Sequence, residues 1–300
     1  MQFDTIDLRL LRVFITVADC RGFSAAQAEL NTSVSTISSQ ISDLETRLGL
    51  RLCQRGRTGF SLTSEGENIY KAARTLFHQI SGFKSVVSDL KQELSGRLSL
   101  GFADNLITHP SAPMTKALQN FLEPKTDIEI VLTVLSPNQL ERELLEQRLD
   151  VIIGAFPRHL PGINYSTLFE EHQNLYCGKG HPLFEAEEQE IAEVDITVHR
   201  QAQRGYTAGR PHPSNLGSGA FNATSYHMEG LVYLIMTGHF LGHLPDHYAR
   251  RWVETGQLRC LHPDRFGYTS AFELGTRAGT HLSPVVRGFI QELQISSGQS

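Results

Sequence analysis

The chain is poor in the features that mark secreted, metal-stapled or membrane-spanning proteins. Its four cysteines, Cys20, Cys53, Cys177 and Cys260, lie far apart with no CxxC pair, which argues against a disulfide framework and against a zinc ribbon. Buried, inert thiols are expected, with oxidant sensing by Cys177 or Cys260 as the minor alternative. The opening MQFDTIDLRLLRVF lacks the charged-then-apolar pattern of a signal peptide, and no apolar run approaches the length of a membrane span. The protein is therefore expected in the cytoplasm, away from membranes. No GxSxG, GxGxxG, P-loop or HExxH is present, and Gly217-Ser218-Gly219 lacks the flanks of a nucleophile turn, so an enzyme is not expected. His239, His243 and His247 recur every four residues, but Gly242 and Pro245 break the helix that would align them, so no metal site and no cofactor are expected.

What the chain does contain is sized for more than one domain: 300 residues with 40% apolar content. Its net charge of −5 is unevenly spread. Residues 1–65 carry seven basic and seven acidic side chains, so the whole deficit lies beyond them. Within that neutral segment, residues 7–21 read as a helix with a stripe of Leu8, Leu11, Phe14, Ile15 and Ala18. Ser24 is placed to N-cap a short second helix, with Gln27 completing a capping box. A third helix starts near Ser33, with Val34, Ile37, Ile41, Leu44 and Leu48 on one face and Gly49 as its stop. The opposite face carries Ser35, Thr36, Ser38, Ser39, Gln40 and Ser42, short polar side chains able to approach base edges and phosphates. Arg47, Arg51, Arg55 and Arg57 follow with no acid among them, and Arg55 to Thr63 reads as a hairpin wing.

These segments resemble the N-terminal domain of LysR-type transcriptional regulators. The family pattern is an FxxVA segment, an SxxxAAxxL segment, a serine-rich recognition helix ending in LExxLG, an LFxR strand and an LTxxG exit. It is met in order by Phe14 to Ala18, Phe23 to Leu30, Ser33 to Gly49, Leu52 to Arg55 and Leu62 to Gly66. The resemblance implies contacts to double-stranded DNA from Ser33, Val34, Ser35, Thr36, Ser38, Ser39, Arg55, Arg57 and Thr58. Many relatives carry Gln-Pro where this chain has Val34-Ser35, and Arg or His where it has Ser39. More of the specificity is then expected from thymine methyls and DNA shape.

From Gly66 the seam Ile69, Ala73, Leu76, Ile80, Phe83, Val87, Leu90 and Leu94 alternates by four and three, as in a coiled coil. The family uses this segment to dimerise, so self-association is expected, with tetramers common among relatives. Ser95 and Gly96 form a hinge. Beyond it, strands at 97–102, 128–134 and 151–156 alternate with helices at 113–122 and 139–148, which predicts a parallel sheet covered on both faces. This resembles the two-lobed α/β effector-binding domain, whose fold is that of periplasmic binding proteins. The expected organisation is a winged helix-turn-helix over 1–65, a dimerisation helix over 66–95 and an effector-binding domain over 96–300. Its first lobe would be about 96–163 with 275–300, and its second lobe 164–274. Residues 200–225 read as mostly loop, 226–240 as a helix, 242–245 as a strand and 284–293 as a final helix.

A ligand in such a domain sits beyond strand carboxyl ends, between lobes. The candidates are Asp104, Asn105, Leu106, Ser136 and Phe156 from the first lobe, and Arg204, Tyr206, Thr224 and His243 from the second. Relatives often have Ser or Thr where Asp104 and Asn105 stand, using the next helix N-terminus to hold an effector carboxylate. Asp104 disfavours an anion beside it, leaving a hydroxyl or amine as well placed as an acid, or Asp104 as only a helix cap. The expected function is a transcriptional regulator whose partners are DNA, its own copies, RNA polymerase and a small-molecule effector. The alternative is a sensor or solute-binding protein that does not read DNA.

Overall fold

In a computed structural model, residues 4–56, 59–90, 95–122, 127–207 and 221–298 are described. The chain divides into two compact units, Met1–Lys84 and Ser85–Ser300.

The first unit packs three short helices and the start of a long fourth one around a single core, with a two-stranded wing. Helix α1 (Thr5–Asp19) opens with a reciprocal cap, in which Asp4 Oδ1 accepts from the N–H of Ile6 at 2.7 Å and Asp7 Oδ2 accepts from that of Asp4 at 2.8 Å. Helix α2 (Phe23–Leu30) starts earlier than expected: Gly22 is its cap, and Ser24 lies inside the first turn. The cause is Phe23, which enters the helix to bury its ring, edge-on to Phe60 at 5.7 Å. Asn31 ends α2 in the left-handed region (φ 47°). Ser33 caps α3 (Val34–Leu48) by accepting from the N–H of Thr36, and Gly49 (φ 68°) closes it. Ile37, Ile41 and Leu44 are fully buried against Leu10, Phe14 and Val17 of α1. Strands β1 (Cys53–Gly56) and β2 (Gly59–Leu62) pair antiparallel, Cys53 opposite Leu62.

Helix α4 (Ser64–Leu90) leaves the wing at Gly66, where a Cβ would lie 2.0 Å from the carbonyl oxygen of Leu52, so no other residue fits. The heptad seam divides along this helix. Ile69, Ala73 and Leu76 pack into the core of their own unit, while Phe83 is 70% exposed. Leu94 and the side chains of Val87 and Leu90, the end of the expected seam, lie outside the described residues. Tyr70 and Arg74 both bond the Asp19 carboxylate, fastening α4 to α1.

Among the described residues, the second unit is built on one sheet of nine strands. In chain order it contains β3 (Ser95–Phe102), α5 (Met114–Leu122), β4 (Asp127–Val134), α6 (Pro137–Leu145), β5 (Val151–Gly154), β6 (Ile163–Gly178), α7 (Glu188–Glu193), β7 (Gln201–Arg204), β8 (Phe221–Ser225), α8 (Met228–Met236), β9 (Leu241–Pro245), α9 (Asp246–Glu254), β10 (Leu258–Leu261), α10 (Pro263–Phe266), β11 (Tyr268–Arg277) and α11 (Pro284–Ser296). The strand order is β4-β3-β5-β11-β6-β9-β7-β8, with β10 also on β6. The first three strands are parallel, as expected, but β11 and β6 run antiparallel to their neighbours, so the sheet is mixed.

The division of the second unit also differs from the expected one. Leu168, Phe272 and Leu274, expected in the second lobe, belong to the core under β3–β5, α5, α6 and α11, while Leu175, Tyr176 and Cys177 belong to cores on the far side. The sixteen-residue β6 and its partner β11 therefore cross from one half to the other near residues 169–173 and 268–271. The sequence of β6 hides this, because INYSTLFEEHQNLYCG interrupts its apolar pattern with charges. The segment expected to be loop carries β7 and β8 at its ends; residues 208–220 of it lie outside the described residues.

Candidate DNA-reading surface and effector site

In the first unit, the unburied side of α3 carries Ser35, Thr36 and Ser39, all exposed, and Ser38, half-buried. The hydroxyls cluster: Ser33 Oγ lies 2.8 Å from both Ser35 Oγ and Thr36 Oγ1. Val34 does not face fully outward, as it packs partly against the core. A two-stranded ribbon is marginal alone. This one is held by Glu45, whose Oε1 accepts from the N–H groups of Leu52 at 2.7 Å and Cys53 at 3.0 Å. The arginine concentration is smaller than expected. Arg47 is committed to α1, with Nη1 3.2 Å from the buried Asp7 and 3.7 Å from Asp4, whereas Arg51 is exposed. The backbone of Arg55 pairs with Phe60; Arg57 and Thr58 lie outside the described residues.

In the second unit, a polar ring joins the two halves of the sheet. It starts on the loop after β3, where Thr108 Oγ1 lies 2.8 Å from His247 Nδ1 on α9. His247 Nε2 lies 2.8 Å from Glu171 Oε1 on β6, and both side chains are almost fully buried. A carboxylate so buried must be paired. It also accepts from Gln173 Nε2, while Gln173 Oε1 accepts from Arg204 Nη2 of β7 at 3.0 Å. Arg204 Nη1 donates to the Tyr206 hydroxyl at 2.8 Å, and Nη2 lies 3.7 Å from Met228 Sδ. The N–H of Met228, first in α8, donates to Asp104 Oδ2, which returns the ring to the loop after β3. The amide of Asn105 (φ 63°) sits between the carboxylates, 3.4 Å from Glu171 Oε1 and, when turned, donating to Asp104 Oδ1 at 3.2 Å.

Electrostatics follow from burial. The phenols of Tyr206 and Tyr268 are pushed up by burial, only partly offset by Arg204. For Arg204 itself burial acts downward, but Tyr206, Tyr268 and Glu171 outweigh it and hold the cation firmly charged. His109 packs on Phe169 (4.5 Å) and edge-on to His247 (4.7 Å). Burial, then the neighbouring His247, lowers its pKa.

Of the residues expected to meet a ligand, Asp104, Asn105, Arg204 and Tyr206 come together here. The others do not. Leu106 and Phe156 belong to the core of the first half, and Ser136 caps α6 in a box with Gln139. Thr224 is exposed on β8, and His243 bonds the carbonyl of Phe266 and packs against Tyr268 (5.4 Å). Strand ends are fixed to within a few residues by sequence, which is enough to move a side chain from cleft to core. Glu171, Gln173 and His247 were not anticipated. The available signal was parity: Glu171 and Gln173 share the register of buried Leu175 and Cys177, so they face inward. The three histidines separate, His239 to the turn after α8, His243 to β9 and His247 to α9. Cys177 and Cys260 face different cores on opposite sides of the sheet, and burial raises them to about 12 and about 11.

The helix-turn-helix with its wing, followed by a two-part α/β unit, defines a regulator architecture. The chain belongs to the LysR family. The model of the bacterial regulatory helix-turn-helix protein, lysR family, matches residues 8–67, and that of the LysR substrate binding domain matches residues 91–296. The chain is thus a DNA-binding transcriptional regulator with an effector-binding domain. It is 38% identical over 295 residues to the HTH-type transcriptional activator BauR of Pseudomonas aeruginosa, covering 98% of this chain and 97% of that protein. It is 28% identical to the SDS degradation transcriptional activation protein of a Pseudomonas species, covering 95% of each. Its fold matches that of full-length CbnR complexed with target DNA with a TM-score of 0.62, at 17% identity, over 97% of this chain and 99% of that one.

Proposed function

We propose that the protein binds an interrupted palindrome as a dimer or higher oligomer, with α3 in the major groove and the β1–β2 wing on the adjacent backbone. The observation that carries this reading is the exposed hydroxyl face of α3, beside a wing locked to the same helix by Glu45. Ser35, Thr36, Ser38 and Ser39 are the base-reading candidates, and Arg51, Arg55, Arg57 and Thr58 the backbone contacts. The divided seam of α4 supports one refinement: its first half serves its own unit, and the exposed Phe83 marks where a second copy docks. A small molecule binds at the polar ring, and the change in its closure alters DNA geometry and polymerase contact. The protein acts in the cytoplasm and catalyses no reaction. Among the described residues no helix is long and apolar enough to cross a membrane.

Selection of duplexes from a random library by the full-length protein tests this reading, with Arg55→Ala and Ser39→Ala run alongside. The expected result is a palindromic consensus with a steep salt dependence. Arg55→Ala weakens binding to every sequence, and Ser39→Ala changes which sequence wins. Failure to enrich any sequence, with and without metabolite extract, defeats the proposal.

A further inference from the structure

The loop after β3 reaches across the ring and places a carboxylate where an anionic ligand would be expected. Asp104 Oδ2 accepts from the N–H of Met228 at the start of α8, a nine-residue helix of the opposite half, and its other near neighbour there is His227, 4.0 Å away. The N-terminus of a helix is where backbone N–H groups and the macrodipole favour negative charge. In this chain that position is filled by the protein's own side chain.

Asp104 is nevertheless not sealed in, since its side chain is a quarter exposed, in contrast to Glu171 at 1%. Around it stand Met228, the Arg204–Tyr206 pair, Asn105 and, across Asn105, the second carboxylate of Glu171. The guanidinium of Arg204 donates to neutral acceptors, among them Gln173 Oε1, the Tyr206 hydroxyl and Met228 Sδ, and the Gln173 amide stands between it and Glu171. A ligand head entering beside Asp104 therefore meets a carboxylate first, at a helix end whose attraction for anions is already used. A second carboxylate there would face like-charge repulsion at short range, whereas an ammonium gains a charge-assisted hydrogen bond.

Resting on the effector-binding reading above, we infer that Asp104 is the specificity-determining residue of the site: it acts as a tethered anion that excludes carboxylate heads from the α8 terminus and receives the protonated amine of the effector. The effector class is a small amine, with or without a carboxylate elsewhere. Closure follows, because the residue that binds the amine is the one that bridges the two halves.

The test follows thermal unfolding of the full-length protein by the fluorescence of Trp252, its sole tryptophan, which lies on α9 of this unit. The probes are short n-alkylamines, the corresponding n-alkyl carboxylates, and amino acids carrying both groups. For the wild type, at least one amine-bearing probe raises the midpoint and the simple carboxylates do not. Asp104→Ser weakens the apparent affinity for that probe by about tenfold or more, the size of one charge-assisted hydrogen bond. It also gains a response to carboxylates at the vacated helix end. Asp104→Asn, which keeps an oxygen for Met228 N–H, loses the amine response without unfolding the loop, so a poorly folded serine variant leaves the test standing. Stabilisation of the wild type by a simple carboxylate overturns the inference, as does an amine response unchanged in both variants. Absence of any response to amines overturns it as well. These failures leave the DNA selection untouched, so loss of the amine assignment is distinguishable from loss of the regulator reading.

Discussion

In the first unit the side chains that face outward to read DNA come from one helix and its cap, whereas the ring in the second unit draws Asp104 and Thr108 from a loop, Glu171 and Gln173 from β6, Arg204 from β7, Met228 from α8 and His247 from α9. The difference is one of sequence separation. A reading face follows from helical period, and changing one of its serines alters contacts without altering the scaffold. A ring assembled from distant segments is part of the scaffold, since its members satisfy one another's buried polar atoms. Specificity for DNA can therefore drift by single substitutions, whereas specificity for a ligand is coupled to how the two halves close.

The largest effect that probes this contrast is Phe14→Ala. The ring of Phe14 is fully buried at the centre of the helix-turn-helix, and its loss costs about 3–5 kcal/mol. DNA binding disappears and far-UV helical signal falls at lower denaturant, while the Trp252 transition stays in place. An equal shift of both transitions shows that the two units do not unfold independently.

The second unit carries an acid sensitivity of its own. Burial, then His199 and His239, depresses His181 to about 4, and its Nδ1 accepts from the N–H of Leu183. A histidine held neutral in the folded state and titrating near 6.5 when unfolded stabilises fully above that value. Its contribution declines as pH falls from about 6.5 to about 4, because the unfolded chain binds the proton first. The expected loss over that window is roughly 1–3 kcal/mol, discounted for partial solvent contact. His109, lowered in the same direction, adds to it. Urea midpoints followed by Trp252 should fall over this interval, and His181→Leu should flatten the dependence; an unchanged slope rules out His181 as its source.

Glu45→Ala leaves two N–H groups of the wing without their acceptor, at a cost of about 1–3 kcal/mol. Affinity should fall by a similar factor on specific and random duplexes, since the wing is loosened and the reading face is not. A changed consensus in the selected pool counts against that division of labour. The smallest effect is at Ser136, where removing the α6 cap costs about 1 kcal/mol. The midpoint should drop while the relative response to amines and carboxylates is retained; a lost response would return Ser136 to the site.

The comparison also explains which parts were legible. Helix α3 was read from its cap at Ser33 to its stop at Gly49, because period, cap and left-handed glycine are local signals. Strands β3, β4 and β5 stood out as apolar runs, and α11 started at Pro284 as its sequence predicted. Helix α2 is capped two residues ahead of where its sequence predicts, since the pull of Phe23 into the core outweighs the capping preference of Ser24. By sequence Arg47 belongs to a charged patch, yet it pairs with Asp7, forty residues away.

What the sequence determined alone was local: the reading helix, the wing, the heptad helix, the alternation of strands and helices, and through these the family. Tertiary structure decided what depends on residues far apart in the chain. It packed the start of the α4 seam into its own core and left Phe83 exposed, carried β6 and β11 through both halves of one sheet, turned Leu106, Ser136 and Phe156 inward, and brought Glu171 and His247 to Thr108. The physical reason is that caps and periodicity act within a few residues, whereas burial and the pairing of buried charge are settled only when distant segments compete for the same core.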